Sequence, residues 1–109
     1  MRTILLIDEG AKTAAVLTEA LGIRYQITCQ TSQSQIMITA EKETPQLILL
    51  NASSKKLVDM MCKLKGSSEI IKEIPVVTLL KNDQTLDKAS LNKLKPFDSV
   101  RLPMDFFAF

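Results

Sequence analysis

The chain has 109 residues, 46% of them apolar and 24% charged, so one domain spanning 1–109 can bury a core without disulfides or a structural metal. Histidine is absent, which excludes His-dependent catalysis and most zinc sites; Cys29 and Cys62 have no metal or redox spacing and read as buried, reduced thiols of a cytoplasmic protein. Net charge is +2, and the basic excess of the second half is interleaved with acids, so a nucleic-acid partner is disfavoured; the four apolar residues Ile4 to Ile7 are too few for a signal peptide or a membrane span.

Thr3-Ile4-Leu5-Leu6-Ile7 is a short apolar run ending at Asp8-Glu9, which predicts a first strand. Gly10 releases the chain into a helix over 11–21, where Ala14, Leu17 and Leu21 recur on one face, and Gly22 is expected at its C-terminal cap. Tyr25 to Thr31 alternates and predicts a second strand. Ser32 or Ser34 caps a second helix through Glu41, with Ile36 and Ala40 inward, and Pro45 closes that region. Gln46-Leu47-Ile48-Leu49-Leu50-Asn51 is a continuous apolar run ending on one polar residue. It reads as a central strand buried on both faces, and groups just past the end of such a strand are where α/β sheets place their chemistry.

Ser54 is expected to cap the next helix, whose Leu57, Met60, Met61 and Leu64 form one stripe of core filler. Gly66-Ser67-Ser68 ends it, and Glu69 to Lys72 adds a further helical turn. Ile74 to Leu80 predicts a fourth strand. Asn82 or Asp83 is expected to cap a helix to Leu94 with a weak inward face, and Ser99 to Leu102 predicts a fifth strand stopped by Pro103. Asp105 can cap a last helix, but only Phe106-Phe107-Ala108-Phe109 follow it. Either this is a truncated last helix cut from a longer chain, which is the favoured expectation, or these rings pack on a neighbour. Five strands alternating with helices predict an α/β fold: a parallel sheet with right-handed crossovers and helices on both faces.

In order and spacing these segments resemble the receiver domain of bacterial two-component response regulators, over Arg2 to Asp105. Ile4-Leu5-Leu6-Ile7-Asp8-Glu9 resembles the family's first strand and acidic pair. Pro45 to Asn51 resembles the strand that carries the phosphate acceptor, and Ile74 to Leu80 the fourth strand. Leu102-Pro103-Met104-Asp105 resembles the family's Lys-Pro-Phe-Asp ending. The resemblance implies a flavodoxin-like (βα)5 three-layer sandwich with strand order 2-1-3-4-5. It also implies phosphoryl transfer from a histidine kinase to an aspartate, which needs a carboxylate, Mg²⁺ on acidic oxygens, and a hydroxyl and a lysine around the transferred group.

This chain departs from that set. Asn51 stands at the acceptor position, where an amide cannot form an acyl phosphate. Leu80 replaces the hydroxyl residue, Leu102 the lysine, and Ser99 the aromatic switch residue. Asp8 and Glu9 remain, either as structural acids at a strand end or as a weak residual Mg²⁺ pair. Lys55 and Lys81 are candidates for a substitute cation beside them. The two leucines are expected to close the pocket on phosphate.

The leading expectation is therefore a pseudo-receiver, not an enzyme and without a required cofactor. It would be a phosphorylation-independent interaction module of bacterial signalling that contacts a signalling partner, a second copy, or its own C-terminal effector domain. Contact is expected through the face of the family's fourth helix, fifth strand and fifth helix. Two alternatives belong to other classes: a flavodoxin-like domain that binds a small molecule or nucleotide, and a receiver phosphorylated at another residue such as a serine. No GxGxxG or P-loop supports the former.

Overall fold

The structure, a computed structural model, describes residues 2–9, 11–81 and 84–102, with the side chains of 11–13, 81 and 100–102 outside that description. Its elements in chain order are β1 (Arg2–Ile7), α1 (Ala11–Leu21), β2 (Tyr25–Gln30), α2 (Gln33–Glu43), β3 (Leu47–Asn51), α3 (Lys55–Ser67), α4 (Glu69–Glu73), β4 (Val76–Lys81), α5 (Lys88–Leu94) and β5 (Asp98–Leu102). The five strands form one parallel sheet in the order β2-β1-β3-β4-β5. The truncated last helix expected after Pro103 lies outside the described residues.

Strand periodicity sorts the core into two layers. Leu5, Ile7, Ile48, Leu50, Val76 and Leu80 point to one face. There they meet Ile36 and Ala40 of α2, Leu57, Val58, Met61 and Leu64 of α3, Ile71 of α4 and Leu94 of α5. Ile4, Leu6, Leu49, Val77 and Leu79 point to the other face, where Leu17 of α1 packs on them with Ala14, Ala20 and Leu21 alongside. Leu5, Leu6, Ile7, Ile48, Leu49 and Leu50 are all fully buried, as strands covered on both faces require.

The helices start where side chains replace missing backbone partners. Ser32 caps α2 by accepting from the Gln35 N–H, Ser54 caps α3 by accepting from the Leu57 N–H, and Ser68 caps α4 by accepting from the Ile71 N–H. The turn expected after Gly66 is thus a separate helix with its own cap.

Two expectations are corrected. The helix after β4 begins at Lys88 and is capped by Asp87, whose Oδ1 accepts the Ser90 N–H at 2.6 Å. It does not begin at Asn82 or Asp83. Gln84 is instead drawn back to the sheet, its Nε2 donating to the Ala52 carbonyl at 2.5 Å, so the chain runs on before it can turn helical. Gly22 ends α1 for a different reason than a left-handed cap, since no described glycine has positive φ. Its N–H donates to the Thr18 carbonyl at 2.8 Å, and a Cβ there would come within 2.3 Å of that oxygen. The left-handed caps are Thr44 (φ 43°) after α2 and Lys95 (φ 45°) after α5.

Candidate functional site: the ends of β1 and β3

Strand order reverses between β1 and β3, because β1 pairs with β2 on one side and β3 on the other. The chain leaves the two strands in opposite directions there, and the crevice between their carboxyl ends is the usual ligand position of such sheets. Asp8 follows β1 and Asn51 ends β3, so the register of Ile7 beside Leu50 brings the two polar residues together.

They meet directly. Asn51 Nδ2 donates to Asp8 Oδ1 at 2.9 Å, and the Glu9 N–H donates to the same oxygen at 2.7 Å. Asp8 is buried, at 6% exposure. The other end of the amide is also engaged: Asn51 Oδ1 accepts the Ser53 N–H at 3.1 Å and the Ser53 hydroxyl at 2.6 Å. These contacts fix the amide's orientation, because a flipped group would set its oxygen against a carboxylate and its NH₂ against a backbone donor. Glu9 is exposed and its Oε1 accepts the Ser54 hydroxyl at 3.0 Å. Ser54 thereby links the acidic pair to the first turn of α3.

Around this cluster the Ala52 N–H donates to the Leu79 carbonyl at 2.9 Å, and Cys29 Sγ lies 3.9 Å from the Asp8 carbonyl oxygen. Both cysteines are free and half-buried, rather than buried as expected. Burial pushes the Cys29 thiol up, and the nearby Asp8 charge pushes it further. Burial also raises the Cys62 thiol, so neither is activated as a nucleophile.

The remaining candidates sit as follows. Leu80 is 6% exposed and belongs to the same apolar layer as Leu50, Leu57 and Leu94. Leu102 ends β5 and Lys81 ends β4, next to each other in register, but their side chains lie outside the described residues. Lys55 opens α3 as an exposed residue and lines a surface hollow with Asp59 and Asp87. Ser99 is exposed and its hydroxyl is 2.6 Å from that of the buried Thr78. Sequence reasoning missed Ser53 as a partner of Asn51, although an Asn followed two residues later by a free N–H is a known turn pattern. It also missed the Ser54–Glu9 bond and the Gln84–Ala52 bond, which join segments far apart in the chain.

No protein-family model matches the sequence, and no curated relative matches it. Solved structures do. A response regulator from Desulfuromonas acetoxidans superposes with a TM-score of 0.77 at 22% identity, covering 99% of this chain and 89% of that one. A response regulator receiver modulated diguanylate cyclase from Pelobacter carbinolicus gives 0.71 at 18% identity, over 97% and 83%. The receiver domain of a sensor histidine kinase from Pseudomonas aeruginosa, with a magnesium ion in its active-site cleft, gives 0.75 at 18% identity, over 96% and 88%. This chain has the receiver fold.

Magnesium, which the receiver fold implies, can be tested against the residues present. A hard cation needs several oxygens turned toward it. Here Asp8 Oδ1 already accepts two N–H groups, and Asn51 turns its nitrogen, not its oxygen, toward Asp8. Offering the amide oxygen would require a flip that breaks the bond from the Ser53 N–H and the bond to Asp8. Among the described residues no three of His, Cys, Asp or Glu stand close enough to hold a metal ion. The site as folded does not fit the ion. Its chemistry is that of a closed hydrogen-bonded clasp between β1 and β3.

Proposed function

We propose that this chain is a pseudo-receiver: a receiver-like module that works by protein contact and takes no phosphoryl group. The observation that carries the reading is the Asn51 side chain. Both ends of its amide are occupied, by Asp8 and by Ser53, and it has no anionic oxygen to attack phosphorus. Leu80, buried in the apolar layer, supplies no hydroxyl for a transferred group. Asp8 and Glu9 act in this reading as acceptors that fasten the β1 end to β3 and α3, and a resident cofactor is not required.

A module with a fixed clasp has one dominant conformation to present to a signalling partner or to an effector domain elsewhere in its protein. Two-component-type signalling in the cytoplasm of a bacterium is the setting this reading assigns. Among the described residues no helix is long and apolar enough to cross a membrane. The test is incubation with acetyl phosphate and Mg²⁺ followed by intact-mass spectrometry. No mass increase of one phosphoryl group is expected. A stable adduct mapped to Asp8, Glu9 or any serine of the Asn51 loop would overturn the proposal.

A further inference from the structure

The basic side chains look scattered in the sequence, but the fold gathers six of them. Lys55, Lys63, Lys65 and Lys93 line a groove of about 690 Å³ between α3 and α5. Lys65 and Lys93 also line a second hollow of about 470 Å³, together with Lys72 and Lys95. The two hollows therefore share a wall and run on as one surface. Against the six lysines stand three carboxylates, Asp59, Asp87 and Glu73. That local excess exceeds the net charge of +2 carried by the whole chain, so the rest of the molecule is slightly acidic.

The surface has an apolar end. Phe97 is 78% exposed and lies in the second hollow beside Pro75. In the first, exposed Gly66 leaves the wall open: a Cβ there would meet nothing within 4 Å. We propose that this surface docks an acidic segment of another protein, with its carboxylates over the lysines and one apolar side chain against Phe97 and Pro75.

Crowding of like charge is already felt there. Half-buried Lys65 is held below the usual lysine range, first by burial and then by Lys95. A bound carboxylate would offset the Lys95 repulsion with an attraction of opposite sign. The alternatives fit less well. A nucleic acid would set its phosphates against Asp59 and Asp87, would find no arginine among these side chains, and would have a single aromatic ring for stacking. A second copy in a two-fold interface would bring lysines against lysines. The surface reaches the loop after Asn51, since Lys55, Asp59 and Asp87 also line a smaller hollow with Ala52 and Ser53, but its lysines and Phe97 need no phosphoryl group to meet an acidic partner.

The test is an NMR titration of the labelled chain with three probes. They are a short helical peptide of glutamates and leucines, its lysine-for-glutamate counterpart, and a single-stranded oligothymidylate. The acidic peptide is expected to give saturable shifts at Lys63, Gly66, Ser90, Lys93 and Phe97 that weaken as salt is added. The variant Lys63→Glu/Lys93→Glu, at two exposed positions, should bind it at least about tenfold more weakly. Phe97→Ala, equally harmless to the fold, should weaken it by about threefold to tenfold. Silence at these residues, equal binding of the lysine peptide, tighter binding of the oligonucleotide, or self-association through the groove would each overturn the proposal.

Discussion

At the scale of a residue, Asn51 shows how one atom changes the work of a site. Its Nδ2 donates to a carboxylate that is almost wholly buried. Replacing that NH₂ by an oxygen, in Asn51→Asp, removes the donor and sets two carboxylates face to face. At about 4 Å such a pair repels by about 1–4 kcal/mol at effective dielectrics from 80 down to 20. The substitution that restores the family's acceptor is therefore expected to destabilise this chain by about 1–3 kcal/mol. The urea midpoint measures that loss, and added Mg²⁺ should recover part of it by bridging the two acids. Labelling by acetyl phosphate should still be absent in this variant, because Leu80 continues to fill the space where a hydroxyl would be needed. An amide and a carboxylate are nearly the same shape, so this prediction isolates charge from packing.

At the scale of elements, the two helix ends with left-handed caps behave differently from the serine-capped starts. Thr44 holds φ 43° after α2, a conformation that costs a β-branched residue more than glycine. Its N–H donates to the Ala40 carbonyl there, so the bend itself serves the helix. Thr44→Gly should keep that bond and raise stability by about 0.5–1 kcal/mol, read as a higher urea midpoint. At the start of α5, the Ser90 backbone N–H and then its side chain hold the Asp87 carboxyl below its usual range. A carboxyl lowered on folding stabilises above its unfolded-state value and loses that contribution as pH falls through the lowered one. Amide exchange of α5 should therefore quicken only below the ordinary carboxylate range. Asp87→Asn, which still caps, should abolish that pH dependence while leaving the helix in place. Much of this level was readable in the sequence. The runs Ile4 to Ile7 and Leu47 to Leu50 had no alternative to buried strands, and Ser32 and Ser54 stand just before periodic helices. The start of α5 was not readable, because Gln84 is held by the Ala52 carbonyl just past β3, which no local pattern announces. Gly22 was placed correctly and misread, since close approach to Thr18 and positive φ leave the same letter in the chain.

At the scale of the whole molecule, the site and the core share side chains. Matching segments to the receiver pattern located Asn51 and Leu80, because position along a strand is local information. That Asn51 touches Asp8 across the sheet follows only from strand order, and that six lysines adjoin follows only from the packing of α4 and α5 against α3. Leu80 belongs to both descriptions. By resemblance it stands at the position of the family's hydroxyl residue, and it is packed into the layer formed with Leu50, Leu57, Val58 and Leu94. A change there toward the family's hydroxyl cannot be a local change. Leu80→Thr removes buried apolar volume, leaves a cavity that α3 and α5 can only partly close, and introduces a hydroxyl without an assured partner. The expected loss is about 2–4 kcal/mol, against a total of about 5–15 kcal/mol for a domain of this kind. Equilibrium urea unfolding measures it, with an unchanged m-value showing that the fold is otherwise kept. A loss below about 1 kcal/mol would mean that Leu80 is not part of the core and that the pocket is open. With the larger loss, Leu80 is a side chain the fold depends on, and placing a hydroxyl there would need compensating changes in α3 or α5.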